Sequence, residues 1–264
     1  MDLKEELVLA KKLAREAGTA IMKFYEGSVE TSYKEDESPL TQADIASNDI
    51  ITKGLRAARP EDGVLSEEET DEQERLRKER VWVVDPLDGT KEFLKANGEF
   101  TVNIALTVSG EPVLGVVCLP AKDELYWAAK GIGVYKEHDG GRESLAASQR
   151  TRFDEMVVVK SRSHASPELQ AILDRAGFPE ARPAGSSLKG CLVAAGEADV
   201  YIRLGDTMEW DICAMDAIIR ESGGVLTSLD GKPLKYNKSH PLIRGFVASN
   251  GCAHEKLVGL VSHG

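Results

Sequence analysis

The segment VWVVD at 81–85 restricts the fold more than any other stretch of this sequence. Four apolar residues follow one another there without any polar alternation. A strand with one face in water alternates apolar and polar residues, so this run predicts a strand that is buried on both faces. Such a strand needs a packed layer on each side of its sheet, and the run therefore favours a layered fold.

The first half of the chain has the pattern of helices packed on a mostly antiparallel sheet. Apolar residues recur at helical spacing from Leu3 to Phe24, and Gly27 is placed to end that helix. Two pairs of apolar runs joined by short turns predict antiparallel hairpins. The predicted elements are helices at 3–24 and about 42–59, strands at 64–68, 81–85, 100–108 and 113–120, and a further hairpin over 124–137.

After about residue 150 strands alternate with helices, which predicts an α/β second half. The predicted strands lie at 156–160, 198–202, 225–228 and 246–249, and the helices at 167–177, 186–196 and 210–224. We expect an α/β protein, with an α+β first half and an α/β second half, arranged as αβαβα layers. The two subdomains would be 1–150 and 151–264, with a cleft between them.

Composition excludes several classes of function. Lysine and arginine number 33 against 44 aspartates and glutamates, a formal net charge of −11, which disfavours nucleic acid and anionic lipid as partners. No apolar run approaches the length of a membrane span and no signal peptide precedes the first helix, so we expect a cytoplasmic protein. An anionic substrate would then need bound metal cations to attract it.

The cysteines give no sign of a metal or disulfide framework. Cys118, Cys191, Cys213 and Cys252 form no CxxC pair and have no zinc-ligand spacing. We expect all four to be buried free thiols, as in a reducing compartment.

The stretch DPLDGT, directly after the buried strand, is the first candidate site. Pro86 ends ladder pairing and Gly89 permits a sharp change of direction, so Asp85 and Asp88 should emerge at a strand end beside a cleft. Hard cations such as Mg²⁺ prefer carboxylate and carbonyl oxygens. Aspartate, proline and glycine are also common turn formers, and taken alone the stretch fits a turn as well as a site.

Three more acids accompany this stretch, and each has a structural alternative. Glu67 follows a predicted strand but also begins a solvated acidic run. Asp211 lies at a helix start, where an acid complements the helix dipole. Thr41 and Asp44 have the spacing of a capping box, so Asp44 could cap a helix rather than act in catalysis.

Taken together in this order, DPLDGT, SEEE and EWDICAMDAIIRESGG resemble the inositol monophosphatase-like family of magnesium-dependent, lithium-sensitive phosphatases. The resemblance covers nearly the whole chain and implies the layered sugar-phosphatase-type fold. KEFLKANGEFTVNIAL, SRSH and GSSLKGCLVAAGEA resemble its 3′(2′),5′-bisphosphate nucleotidase, CysQ-like branch. That branch converts adenosine 3′,5′-bisphosphate to AMP, which supports sulfate assimilation.

The resemblance implies a dinuclear magnesium site. Glu67, Asp85 and the Leu87 carbonyl would hold one ion, and Asp85, Asp88 and Asp211 a second, while a third, weaker ion near Glu67 is left open. The implied catalytic residues are Asp44, Thr90 and Glu67, with Thr90 and Asp44 orienting a metal-activated water for direct attack on the 3′-phosphate. The residues implied at the phosphate end of the substrate are Glu67, Leu87, Asp88, Gly89, Thr90 and Asp211.

Four further residues are implied as contacts with the AMP moiety, namely Ser161, His164, Gly185 and Lys189. Three of them have a plain alternative, because His164 fits a helix start, Gly185 a loop, and Lys189 a solvated helix face. Lys189 would help to hold the 5′-phosphate. Glu209, just before the motif tryptophan, departs from the pattern, and it would either disfavour a neighbouring phosphate or face solvent.

Two other functions stay open at this point. An inositol or other sugar monophosphatase would use the same metals with a different surface beyond the phosphate. A metal-binding protein without catalysis would act through a partner, although the complete acidic set argues against it. The substrate in each enzymatic case is a small phosphorylated molecule, and the sequence leaves monomer and dimer equally open.

Overall fold

The structure is a computed structural model that describes residues 2–25, 31–33, 39–162, 166–179 and 181–262. Gly27, expected to end the first helix, lies outside these residues. Within them, no helix combines the length and the apolar character that crossing a bilayer requires. The described helices are α1 (Lys4–Tyr25), α2 (Gln42–Ala58), α3 (Thr90–Leu94), α4 (Pro167–Ala176), α5 (Leu188–Ala194), α6 (Glu209–Glu221) and α7 (His254–Ser262).

The larger sheet contains the buried strand predicted at 81–85. Within the described residues its seven strands follow chain order, with the first pair parallel and every later pair antiparallel. They are β3 (Gly63–Ser66), β4 (Arg80–Asp88), β5 (Thr101–Val108), β6 (Glu111–Leu119), β7 (Glu124–Ala129), β8 (Gly133–His138) and β9 (Gly141–Ser144). A separate short hairpin pairs β1 (Thr31–Tyr33) with β2 (Pro39–Thr41).

The smaller sheet is mixed, with five strands among the described residues in the order β11-β10-β12-β14-β13. These are β10 (Val158–Ser161), β11 (Arg182–Ala184), β12 (Val200–Met208), β13 (Val225–Thr227) and β14 (Leu242–Ser249). The pairs of β10 with β11 and β12 are parallel, and those of β14 with β12 and β13 are antiparallel.

The helices form three layers around the two sheets. The pair α1 and α2 covers the outer face of the larger sheet, α5 and α6 lie between the sheets, and α4 and α7 cover the outer face of the smaller one. Trp82 and Val84 of β4 point toward α1 and α2, while Val81 and Val83 join the core around α6. The αβαβα arrangement predicted from the sequence is confirmed.

Three details of the sequence prediction need correction. Strand β4 does not end at Asp85 but continues past Pro86 to Asp88, across an irregularity in its pairing with β5. Proline is accommodated there because a bulged strand loses ladder pairing locally. The short strands β1, β2, β9 and β11 and the helix α7 had not been predicted. Cys252 is exposed, whereas Cys118, Cys191 and Cys213 are buried free thiols as expected.

Candidate active site

The DPLDGT turn is fixed to the protein on both sides. Asp85 is buried at the end of the regular part of β4, and its Oδ1 accepts the Leu87 N–H at 3.1 Å. Ser47 of α2 donates to the Pro86 carbonyl at 2.7 Å. Gly89 then adopts a left-handed conformation and caps the short helix α3. The stretch therefore forms a turn, as one interpretation predicted, and it also places its carboxylates beside a cleft, as the other predicted.

Asp88 is held by a residue of β5 and by the segment that precedes α5. Its Oδ2 accepts the Ser187 N–H at 2.7 Å and the Asn103 side-chain amide at 3.3 Å. The same amide donates to Ser187 Oγ at 2.9 Å, and Ser187 Oγ donates to the Asp211 carbonyl at 2.7 Å. A network of four residues thus joins β5, the segment before α5, and α6 around one carboxylate oxygen.

Asp44 and Asp211 occupy equivalent places in two helices. Each is the third residue of its helix, and each uses its Oδ2 to accept the backbone N–H of the capping residue, Thr41 at 2.8 Å and Met208 at 2.9 Å. The capping alternative is therefore correct for Asp44, and the same arrangement holds for Asp211. In both cases the second oxygen is not needed by the cap.

Thr90 lies beside the second oxygen of Asp44. The Thr90 hydroxyl is 3.4 Å from Asp44 Oδ1 and 3.4 Å from the Leu87 carbonyl. Asp44 is buried and Thr90 is half-buried at the cavity wall. The geometry therefore allows Asp44 to act as a cap and to orient the Thr90 hydroxyl at the same time.

The carboxylates of the site repel one another. Burial, followed by repulsion from Glu67, Asp88 and Asp211, raises the pKa of Asp85 well above its usual range. Burial and the neighbouring Asp211 raise the pKa of Asp88 to about 6, although Lys189, Asn103 and Ser187 act in the opposite direction. Burial is also the largest cause of the raised pKa of Asp211. So much negative charge in one cleft favours a cation.

A cavity of about 260 Å³ opens onto these groups. The predicted residues that line it are Glu67, Asp85, Leu87, Asp88, Gly89, Thr90, Ser161, Lys189 and Asp211. A second cavity of about 800 Å³ shares Ser161, Tyr201 and Arg203 with the first. The second cavity, formed by the smaller sheet and α4, therefore lies next to the first at these three residues.

The four residues expected on the nucleotide side have different surroundings. Lys189 is buried, not on a solvated helix face, and its ammonium donates to the Ser186 carbonyl at 2.6 Å and lies over the Tyr201 ring. Gly185 is buried behind the cavity wall. His164 lies outside the described residues.

Both expectations for Glu209 were wrong. The side chain is completely buried and accepts the N–H groups of Asn237 at 2.7 Å and Lys238 at 3.1 Å. Its carboxylate fixes the segment before β14 and does not line the cavity. The residue therefore neither faces solvent nor stands next to a bound phosphate.

The donor set fits hard divalent cations. Glu67, Asp85, Asp88 and Asp211, together with the Leu87 carbonyl, offer oxygen atoms alone, which Mg²⁺ prefers. No three acidic, histidine or cysteine side chains in the described ranges already surround a single point. Mg²⁺ does not need such a preformed group, because it keeps several waters among its ligands. The mutual repulsion of these carboxylates is the stronger indication of a cation site.

Asn103 and Ser187 were missed by the sequence analysis. Asn103 interrupts the apolar run FTVNIALTV, and a polar residue inside an apolar strand was a signal present in the sequence. In the structure Asn103 pairs with Asp85 between β4 and β5. Within the described part of the chain, its Oδ1 is buried without a hydrogen-bond partner. If the amide were flipped, its oxygen rather than its NH₂ group would face Asp88. The observed orientation instead lets the NH₂ group donate to the Asp88 carboxylate. Ser187 has no comparable signal, because its partners are distant in sequence.

The fold and this oxygen-rich cluster define a class of layered α/β phosphate-ester hydrolases, and solved structures of that class match the chain. CysQ from Bacteroides thetaiotaomicron has a TM-score of 0.79 and 38% identity over 93% of this chain and 97% of that one. The suhB extragenic suppressor protein from Bartonella henselae has a TM-score of 0.84 and 27% identity over 98% and 99% of the two chains.

Curated sequences give the same result. The 3′(2′),5′-bisphosphate nucleotidase CysQ of Salmonella typhimurium is 47% identical over 228 residues, which cover 85% of this chain and 91% of the relative. The protein of that name from Buchnera aphidicola is 42% identical over 86% of each. The Inositol monophosphatase family model matches residues 2–263. The chain belongs to the inositol monophosphatase family, a family of metal-dependent phosphatases.

Proposed function

We propose that this protein is a 3′(2′),5′-bisphosphate nucleotidase that hydrolyses the 3′-phosphate of adenosine 3′,5′-bisphosphate to give AMP. The observation that carries the proposal is the 46–47% identity to CysQ nucleotidases over 85% of the chain. The acidic cluster at the DPLDGT turn supplies the matching chemistry for a phosphate ester. The cytoplasmic location and the division near residue 150 stay predictions.

Mg²⁺ is the cofactor that the donor set favours. Glu67, Asp85 and the Leu87 carbonyl would hold one ion, Asp85, Asp88 and Asp211 a second, and a third near Glu67 would be weaker. When bound, such ions lower the pKa of water and neutralise charge on the phosphate and on the departing sugar oxygen. We expect lithium to inhibit by competing for the second position.

The residues of the turn would position the reactants. Thr90, oriented by Asp44, would hold the attacking water through its hydroxyl, and Glu67 would lie beside it. The backbone N–H groups of Gly89 and Thr90 would bind phosphate oxygens at the start of α3. Water oxygen bonds to phosphorus as the bond to O3′ breaks, the sugar oxygen takes a proton, and inorganic phosphate leaves.

The remainder of the nucleotide would extend into the larger cavity. Lys189 is the buried cation nearest Asp88 and the natural partner of the anionic substrate, and Ser161 lines both cavities. His164 is proposed as a contact on the grounds of its motif alone. Gly185 is proposed to act through the position of its segment, because its own atoms lie behind the wall.

An inositol or sugar monophosphatase is the second candidate. The family match and solved relatives named inositol monophosphatase favour it, for example the Thermotoga maritima protein, which is 26% identical with a TM-score of 0.83. The acidic cluster would serve either substrate. The identity to that relative is much lower than the identity to the CysQ proteins, so the nucleotide is the preferred substrate.

Product analysis tests the proposal. Adenosine 3′,5′-bisphosphate would be incubated with the protein and Mg²⁺, and the products identified by ³¹P NMR. We expect 5′-AMP and inorganic phosphate, no reaction with EDTA, and a slower reaction with lithium. Formation of 3′-AMP, or turnover that persists in EDTA, would contradict the proposed reaction.

A further inference from the structure

Glu99 connects two segments that the proposed function places around the nucleotide. It lies between α3 and β5, and its carboxylate accepts two bonds from the Arg162 guanidinium, each at 2.8 Å. One of the same oxygens accepts the Gly185 N–H at 2.8 Å. The Glu99 carbonyl also accepts the Ser186 hydroxyl at 2.8 Å. Four hydrogen bonds thus join one residue of the larger-sheet region to two segments of the smaller-sheet region.

Close packing makes this connection specific. A Cβ atom on Gly185 would lie 2.6 Å from the Glu99 carbonyl oxygen and 2.8 Å from its Cβ. Contacts under about 3 Å are not tolerated by packed atoms, so the residue at 185 has to be glycine for the two segments to meet. The position of Gly185 is therefore explained by Glu99 rather than by a substrate atom.

The two segments held by Glu99 both lead to the cavity. Arg162 follows Ser161, which lines the cavity. Gly185 precedes Ser186, another lining residue, and Ser187, whose N–H holds Asp88 at 2.7 Å. A shift of either segment would move the wall beyond the phosphate, whereas Asp85 and Pro86 are held separately by the Leu87 N–H and the Ser47 hydroxyl.

The charges agree with a structural role for the carboxylate. The Glu99 side chain is 15% exposed and Arg162 40% exposed. Burial alone would raise the pKa of Glu99, but the Arg162 guanidinium and the Gly185 N–H more than compensate and hold that pKa below its usual range. Glu99 is thus charged at neutral pH, and it pairs with Arg162, a residue that lines the larger cavity.

We propose that Glu99 is a positioning residue that determines selectivity for nucleotide substrates, by holding the Arg162 and Gly185 segments against the chain between α3 and β5. The inference rests on the proposed function, since it concerns the part of the substrate beyond the reacting phosphate. Loss of the carboxylate would raise KM for the nucleotide and leave the chemistry of the turn unchanged. A small ester that fills only the phosphate end would not sense the loss.

The test compares adenosine 3′,5′-bisphosphate with p-nitrophenyl phosphate in wild type, Glu99→Gln and Glu99→Ala. For the nucleotide we expect KM to rise at least about 10-fold in Glu99→Ala and less in Glu99→Gln, which retains an acceptor, with kcat within about 3-fold. For p-nitrophenyl phosphate, kcat/KM should stay within about 3-fold of wild type.

Asp62→Asn is the matched control. Asp62 also binds an arginine through both oxygens, Arg80 at 2.9 and 3.3 Å, and accepts the Trp82 Nε1–H at 3.0 Å, but it lies outside the site. This variant should lose thermal stability without a change in either KM. The Asp62→Asn variant shows what a loss of stability alone does to KM. If the Glu99 variants are also less stable, comparison with Asp62→Asn separates that loss of stability from the loss of positioning.

A double variant distinguishes positioning from direct contact. If Glu99 acts through Arg162, then Arg162→Gln should raise KM for the nucleotide, and Glu99→Gln combined with it should raise KM no further than the worse single variant. Additive increases, an unchanged KM in Glu99→Ala, or equal losses on both substrates would overturn the inference. A wild-type protein without nucleotidase activity would instead overturn the proposed function on which it rests.

Discussion

At the scale of single residues, the carboxylates of the site divide their two oxygens between structure and chemistry. Oδ2 of Asp44, Asp88 and Asp211 accepts a backbone N–H, and Oδ1 of Asp85 does the same. One oxygen of each acid is therefore fixed by the chain itself, and the second oxygen of Asp44 lies beside the Thr90 hydroxyl. Such preorganisation lets the protein hold repelling groups together before a cation binds.

Asp88→Asn should separate these two roles. Asparagine can still accept the Ser187 N–H through its amide oxygen, so the protein should fold, but a neutral amide is a poor ligand for a hard cation. We expect kcat/KM for the nucleotide to fall at least about 100-fold. Steady-state kinetics with circular dichroism as the folding control would check this, and a near-normal rate would be contrary to the account.

The contribution of Thr90 to catalysis should depend on its hydroxyl alone. Thr90→Ser keeps the group beside Asp44 Oδ1 and should retain activity within about 10-fold, whereas Thr90→Ala should lose about 100-fold in kcat. Measuring kcat and KM separately shows whether the loss belongs to the chemical step. Equal rates for the serine and alanine variants would remove Thr90 from the mechanism.

Local patterns predicted some residues of the site and not others. Asp85 and Asp88 follow an apolar strand and precede a glycine, so their place at a strand end could be inferred from neighbours in sequence. Ser187 and Glu99 could not be found this way, because their partners are 99 and 63 residues away. Glu209 was misjudged since the segment that buries it, at 237–238, returns only through the tertiary fold.

At the scale of elements, α6 is the connection between the two sheets. It carries Asp211 at its start and packs directly on β5, β6 and β7 of the larger sheet. The approach is closest at Gly115, where a Cβ atom would lie 2.1 Å from the Ala214 carbonyl oxygen. The distance from Asp211 to the DPLDGT turn therefore depends on a glycine in β6.

Gly115→Ala should push α6 away from the sheet. Because the obstacle is backbone rather than a flexible side chain, we expect a loss of about 1–3 kcal/mol in stability and a fall in kcat/KM as Asp211 moves. Thermal unfolding and kinetics would be compared with Gly259→Ala, where no atom lies within 4 Å of the added Cβ. A Gly115→Ala protein as active and stable as wild type would refute this dependence.

Helices and strands were predicted correctly where a single period of apolar residues extends over many positions. The helices α1 and α2 and the hairpins of the larger sheet follow from apolar spacing over many residues. The extension of β4 to Asp88 does not, because a proline normally ends a strand and here the irregularity opposite Asn103 accommodates it. The three-residue strand β11 is too short for any period to be visible.

At the scale of the whole molecule, an acidic protein concentrates further acid in its cleft. The formal net charge is −11, and the raised pKa values at Asp85, Asp88 and Asp211 show that these carboxylates destabilise the metal-free fold when ionised. Metal binding would relieve that repulsion, which links the stability of the protein to its loaded state.

The pH dependence of stability follows from the sign of the shift at Asp88. Its pKa rises from 3.8 to about 6 on folding, so the native state holds more protons than the unfolded chain in that window. Stability from this group is present below pH 3.8 and is lost as pH rises through about 6. In EDTA, Asp88→Asn should therefore be more stable than wild type at neutral pH, by about 3 kcal/mol.

Thermal unfolding of both proteins in EDTA at about pH 4.5 and about pH 7.5 would measure this difference. It should be small at the lower pH and larger at the higher one. Added Mg²⁺ should stabilise wild type more than Asp88→Asn, which serves as the control for nonspecific salt effects. A difference that shrinks as pH rises would contradict the assigned repulsion.

The most direct test of the whole account is kcat/KM for adenosine 3′,5′-bisphosphate and for inositol 1-phosphate, measured side by side with Mg²⁺. We predict a preference for the nucleotide of at least about 100-fold, since the cavity beyond the acidic cluster is formed by the nucleotide-side segments. Equal values, or a preference for the inositol ester, would contradict the proposed substrate and leave the metal-dependent phosphatase site as the part of the account that stands.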